Sequence, residues 1–355
     1  MNKRILRLAI PNIISNITVP LLGLVDMAIA GHMGDGEVGS QVYIGAVSLG
    51  ATIFNFIYWN MGFLRMGTSG FASQSYGKRD LAQSMLVLAR GIVVAFSIAL
   101  LLLILQKPIY SAATYFIELP PNAAPYTKQY FSILIWAAPA TLGLYVFKGW
   151  YIGMQNSRIP MVIAILVNVA NIVFSLIFVL VFDMKVRGVA LGSVLAQYCG
   201  LFTAILFFLF SNYKKLIKRL DYSQILNTSQ LAEFFKVNGN IFLRTICLVI
   251  VFTFFSSASA KGGETLLAAN MMLMQLFTLF SYIMDGFAYA GESLVGRFVG
   301  SRNPRMLKSV IKHLLLWGVV LSLFFTLLYI IGGNAFLSLL TDSKEVLETA
   351  NHFFY

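Results

Sequence analysis

Gly77-Lys78-Arg79-Asp80 returns 223 positions later as Gly300-Ser301-Arg302-Asn303. Two apolar helices share residues by chance, but loops do not match through hydrophobicity alone. Around these loops Ala46, Phe54, Met61, Gly77 and Arg79 stand in register with Ala269, Phe277, Met284, Gly300 and Arg302. Gly62-Phe63 meets Gly286-Phe287 once a single residue is gapped, and the same offset sets Tyr130-Phe131 against Phe353-Phe354. The repeat predicts a chain built from two copies of one unit, the second cut short by on the order of 90 residues.

The solvent of both copies is lipid. Hydrophobic residues make up 58% of the chain and charged residues 11%, and the mean hydropathy is +0.79, outside the range of water-soluble domains. Apolar stretches long enough to span a bilayer lie near 5–30, 42–64, 84–106, 129–152, 160–182, 188–212, 237–259, 266–296 and 309–332. A tenth helix begins near Glu348. Six spans fit one period, so both copies enter the membrane from the same side and are related by an axis along its normal. The predicted architecture is all-α and polytopic. Residues 1–212 form an N-terminal lobe of six helices, 213–236 an inter-lobe loop, and 237–355 an incomplete C-terminal lobe.

The net charge of +12 reports topology and requires no nucleic acid. With loops assigned to alternate sides, eighteen basic residues gather on one side, including Lys3, Arg4, Arg7, Arg65, Lys78, Arg79, Lys148, Lys214, Lys215, Lys218 and Arg219. Six, namely Lys107, Lys128, Lys185, Arg187, Lys261 and Lys344, fall opposite. That bias places the N-terminus and the 213–236 loop in the cytoplasm. Met1-Asn2-Lys3-Arg4 followed by an apolar run resembles a secretory signal, but the run is too long for a signal core and carries Asp26. Cys199 and Cys247 lie inside predicted helices and imply neither a disulfide framework nor a metal site. The chain has no phosphate-binding Gly-x4-Gly-Lys-Ser/Thr, no His-Glu-x-x-His and no Gly-x-Ser-x-Gly, so neither ATP hydrolysis nor enzymatic catalysis is indicated. Asn227-Thr228-Ser229 fits a glycosylation sequon but lies in the loop assigned to the cytoplasm.

Function in such a chain is sought among ionisable groups at bilayer depth, because each is costly to place there. Asp26, Arg90, Arg244, Asp285 and Glu292 qualify. Asp26 follows Pro20 by six residues in the first helix, and that proline removes one backbone hydrogen bond and favours a bend. Apolar surroundings disfavour the charged form of a carboxyl, a property suited to binding and releasing a proton. The alternative is a carboxylate that only hydrogen-bonds a neighbouring helix. Asp285 and Glu292 lie two turns apart on one helical face, and Arg244 on the preceding helix is the expected counter-ion. They either bind substrate or cation, or form a neutral structural pair. Arg90 is near a helix end, where it can snorkel. Asn168 and Asn171 on the fifth helix either face Asp26 or pack helix on helix.

Four stretches resemble the multidrug and toxic compound extrusion (MATE) family, and its DinF-like branch most closely. They are residues 24–32 (LVDMAIAGH), 149–160 (GWYIGMQNSRIP), 187–192 (RGVALG) and 285–292 (DGFAYAGE). The resemblance implies a twelve-helix exporter whose two lobes form a cavity opening alternately to each side. Family members expel amphipathic, often cationic compounds in exchange for protons or sodium ions. In this branch the acid matching Asp26 is the coupling site, and Asn171 matches the asparagine of a fifth-helix motif. That motif reads Asn171-Ile172-Val173-Phe174-Ser175 here, with Ser175 where the family has a second acid. The combined expectation is a monomeric antiporter of the bacterial inner membrane that handles small organic molecules, needs no cofactor beyond the coupling ion, and has no nucleic-acid partner. A flippase for lipid-linked cell-wall or oligosaccharide precursors is the alternative. It calls for several basic residues in the cavity, where the sequence offers Arg90 and Arg244.

Overall fold

The computed structural model describes residues 1–33, 39–117, 120–338 and 343–354, without the side chains of residues 116, 219, 334, 344 and 354. The basic residues Arg219 and Lys344 therefore have backbones but no described side chains. Within the described residues every regular element is helical. In order these are α1 (Asn2–Gly31), α2 (Ser40–Asn60), α3 (Phe63–Gly77), α4 (Leu81–Ile104), α5 (Gln106–Phe116), α6 (Ala124–Leu134) and α7 (Ala138–Gly153). They continue with α8 (Arg158–Leu176), α9 (Lys185–Phe210), α10 (Thr228–Lys261), α11 (Glu264–Gly300), α12 (Pro304–Ser338) and α13 (Lys344–Phe354). Nine helical stretches among the described residues are long and apolar enough to cross a membrane, as the hydropathy pattern predicts.

Departures from straight helices have local causes. The second span breaks at Met61-Gly62 between α2 and α3. The fourth contains a 3-10 turn at Ile135–Ala137, just before Pro139, whose missing N–H interrupts the ladder. The first span keeps helical geometry through both Pro11 and Pro20. The loop expected over 213–236 is shorter than the sequence indicates, because α10 starts at Thr228. There the sequon residue Asn227 is a helix cap whose Oδ1 accepts from the amides of Ser229 and Gln230.

The repeat is reproduced bond by bond. Arg79 and Arg302 both adopt left-handed backbone geometry, with φ of 61° and 50°. The amide of Asp80 reaches back to the Ser75 carbonyl at 3.0 Å, and that of Asn303 to Phe298 at 3.1 Å, the six-to-one bond that closes a helix C-terminus. Asp80 then caps α4 by accepting from the Gln83 amide, and Asn303 caps α12 by accepting from Met306. Two loops 223 residues apart thus end one helix and start the next by the same bonds.

Helices α3 and α11, which lead into these loops, cross one another with reciprocal contacts. Gly77 lies on the backbone of Arg297, and Gly300 lies on the backbone of Gln74; neither position has room for a Cβ. Gln74 and Arg297 are themselves one repeat apart, as are Ser73 and Gly296, which touch each other. The pseudo-two-fold axis therefore passes through the Ser73–Gly296 contact. Close approach of small residues supplies the packing that binds helices in lipid, where hydrophobicity between them is spent.

The other contacts between the first six spans and the remaining three gather toward the same end. Ile5, Leu8 and Ala9 of α1 form a buried cluster with Phe287, Ala290 and Leu294 of α11, and Asn16 donates to the Tyr282 carbonyl at 3.0 Å. Gln155 donates to the Ser293 carbonyl at 2.8 Å, and the Ser293 hydroxyl donates to the Ile152 carbonyl at 2.6 Å. Farther along, α2 and α10 border an apolar groove of about 440 Å³ lined by Phe56, Asn60, Ile246, Val249, Ile250, Thr253, Phe254 and Ser257. The two units form a wedge whose apex is the α3–α11 crossing.

Gly300→Val is expected to destabilise the protein by about 1–3 kcal/mol, the usual cost of overpacking a close contact. Gly45→Ala, whose added methyl meets open space, should gain about 0.5–1 kcal/mol of helix propensity. Thermal unfolding of the two variants in detergent measures both.

Candidate functional site

Asp26 sits in the second half of α1. Its Oδ1 is buried without a hydrogen-bond partner among the described residues, and the buried Tyr130 of α6 lies within its electrostatic reach. Gly50 makes this possible, since the Tyr130 ring occupies the space a Cβ would take on α2. The asparagines expected to face Asp26 are placed elsewhere. Asn168 does reach α1, but it donates to the Thr18 carbonyl at 3.2 Å, two turns before the acid. Asn171 turns to α9 and donates to the Ser193 hydroxyl at 2.8 Å. Ser175 is buried beside it, with its hydroxyl 3.5 Å from the Asn171 Oδ1. Gly192 packs directly on Ser175, so the position that carries an acid in the family is here a tight helix-to-helix contact.

In the second unit the expected ion pairing is revised. Glu292 pairs with Arg65 of α3, Nη1 to Oε2 at 3.1 Å, with side-chain exposures of 10% and 25%. The guanidinium also stacks over Tyr289, 3.8 Å from the ring centroid. Arg244, the counter-ion expected from its place on the preceding helix, is exposed and lies against the Met66 sulfur at 3.7 Å. Asp285 is exposed within the electrostatic field of Arg65, Glu292 and Arg244. Arg90 reaches the inter-lobe segment. It is buried and donates to the Ile225 and Gln224 carbonyls at 3.0 and 2.7 Å, holding the inter-lobe segment against α4.

Arg65 and Lys148 both escaped the search for membrane-depth charges because each lies near the end of an apolar run and counts equally well with the loops. The signal was present for Lys148, which is followed by Trp150, Tyr151 and Ile152, all buried. Gly149 lies on the Arg65 backbone, which brings Lys148 beside that arginine. Tyr145, Lys148 and Ile152 recur at helical spacing on α7. Tyr145 lies within electrostatic reach of Tyr289 on α11, while the Ile152 carbonyl and the Gln155 side chain, in the turn after α7, bond Ser293 of the same helix, so this side of α7 opposes the stripe Asp285, Tyr289, Ser293.

A helical bundle with an internal repeat, membrane-spanning helices and ionisable groups between its repeated units has the architecture of a membrane transporter. The profile of the MatE family matches residues 11–177 and 240–355, and the chain belongs to that family, whose members are transporters and not enzymes. It is 32% identical to DNA damage-inducible protein F of Escherichia coli K12 over 99% of this chain and 75% of that protein. To multidrug and toxin extrusion protein 1 of Danio rerio it is 25% identical over 90% of this chain and 52% of that one. A solved multidrug resistance MATE family transporter in an outward-facing conformation superposes with a TM-score of 0.86 at 20% identity, covering 99% of this chain and 77% of its own. A MOP superfamily transporter of Pyrococcus furiosus gives 0.85 at the same identity, over 99% and 76%.

Arg65→Met and Glu292→Met are each expected to cost about 3 kcal/mol, because one buried charge is left unpaired, while the double variant should recover most of that loss. Chemical unfolding of the four proteins closes the cycle.

Proposed function

We propose that the protein exports amphipathic organic compounds, organic cations among them, in exchange for protons or sodium ions, and that Asp26 is the coupling site. The observation that carries this reading is the buried Asp26 Oδ1 with no hydrogen-bond partner among the described residues, in a helix of the first unit that packs against α11 of the second and contains two prolines. A carboxylate there is poorly served, and a bound proton or cation would relieve it. The first unit comprises residues 1–212, the linker 213–227, and the second unit begins with α10 at Thr228. The closed end of the wedge faces the cytoplasm of a bacterial cell, together with the N-terminus and the exposed Lys214, Lys215 and Lys218, and the protein works as a monomer in the inner membrane.

In the cycle, the ion enters from outside and binds Asp26 while the wedge is open outward, which weakens substrate binding and favours reorientation. Release of the ion to the cytoplasm restores the anion, and substrate binds again. The gradient acts only through the different affinities of the two orientations. Reorientation must break the Arg65–Glu292 pair and the Gln155–Ser293 bonds, because they join the units at the end that has to open.

A second reading, a flippase for lipid-linked precursors, gains weight from Arg65, Lys148 and Arg244, three cations near the wedge where the sequence offered Arg90 and Arg244. The two readings separate in proteoliposomes containing the whole protein, by following efflux of a fluorescent organic cation after an imposed pH or sodium gradient. Gradient-driven efflux that falls at least ten-fold in Asp26→Asn supports coupling at Asp26. Efflux that survives the substitution moves coupling to Asp285 or Glu292, and absence of transport under either gradient favours the flippase.

A further inference from the structure

We propose that the wedge floor recognises an acidic group on its substrate through Lys148, so that the preferred ligands are amphipathic zwitterions and not simple cations. The inference deepens the exporter reading and rests on it only for the direction of transport. Three observations carry it. First, Lys148 follows Tyr145 by three residues on α7, and Tyr145 lies within electrostatic reach of Tyr289 on α11, near where the units begin to diverge. It is half-buried, and no carboxylate lies within ion-pair distance of it among the described residues. Second, the nearest charge is unfavourable: Arg65 stands beside it, and Arg65 is already neutralised by Glu292. Third, Asp285 on the opposing stripe of α11 is exposed and also lacks an ion-pair partner among the described residues.

The open charges near the wedge floor point to the ligand class. Among the described residues there, Lys148 and Arg244 are positive, Asp285 is negative and the Arg65–Glu292 pair contributes none, while Asp26, an anion once its ion has left, lies farther along α1. A simple cation would meet a floor with net positive charge. A ligand with both an acid and an amine can place the acid on Lys148 and the amine on Asp285, one on each unit. An unpaired ammonium at bilayer depth is costly, and an arriving acid removes that cost with a charge-assisted hydrogen bond.

The test uses rhodamine B, which carries a free carboxylate beside its cationic xanthene, and rhodamine B ethyl ester, which differs only in having that acid masked. Fluorescence anisotropy titrations of the whole protein in nanodiscs, with no gradient, give the affinity for each dye. The expected result is that the wild type binds the acid about ten-fold tighter than the ester, the contribution of one hydrogen bond between charged groups. Lys148→Met should erase this preference by weakening the acid alone, Lys148→Arg should keep most of it, and Asp285→Asn should weaken both dyes. Equal or tighter binding of the ester by the wild type would overturn the proposal even if no variant can be purified. So would a Lys148→Met protein that loses affinity for both dyes equally. Because the readout needs no ion gradient, failure of proton- or sodium-driven export in liposomes would leave this result standing, and the reverse also holds.

Discussion

Everything in the molecule is organised by the place where α3 and α11 touch backbone to backbone. Helices in lipid gain nothing from hiding apolar surface from one another, so their association rests on close packing and on polar bonds. Here Gly77, Gly296 and Gly300 let the backbones approach until Ser73, Gln74 and Arg297 fill the space where Cβ atoms would be. Since the contact pairs are related by the repeat, the contact lies on the symmetry axis. Two rigid units joined closely at one end must diverge toward the other, and the wedge is the consequence.

The symmetry that builds the crossing is broken by charge. At the repeat offset the first copy has Ser69 where the second has Glu292, and the second copy offers no cation in place of Arg65. The two odd residues find each other across the units and neutralise one another, which a membrane-embedded pair requires. Lys148 and Asp285, set close by, have no such partners among the described residues. A site that is satisfied at the apex and unsatisfied just above it is suited to a ligand that supplies the missing charges.

Much of this was legible beforehand. The nine spans follow from apolar run length, and the loop pair 77–80 and 300–303 announced the internal repeat because turn chemistry is sensitive to residue type in a way that apolar helices are not. Asp26, Asp285 and Glu292 stood out because acids are rare in such runs. Arg65 and Lys148 did not, since a basic residue near a helix end reads equally well as a loop charge under the positive-inside rule. Pairing was also beyond reach. Arg244, on the preceding helix, was the membrane-depth cation nearest to Glu292 along the chain, and Arg65 is 227 residues away.

The sequence by itself determined the solvent, the number and length of the spans, their repeat and the family, because each depends on composition or spacing along the chain. Tertiary structure alone decided which polar groups meet: Asn171 with Ser193, Arg90 with the inter-lobe carbonyls, Arg65 with Glu292, and none of the described residues with the Asp26 Oδ1. The reason is geometric. A helix presents its side chains in all directions, and which of them faces a partner depends on its rotation and depth against its neighbours, quantities set by packing contacts such as Gly149 on Arg65 and Gly192 on Ser175.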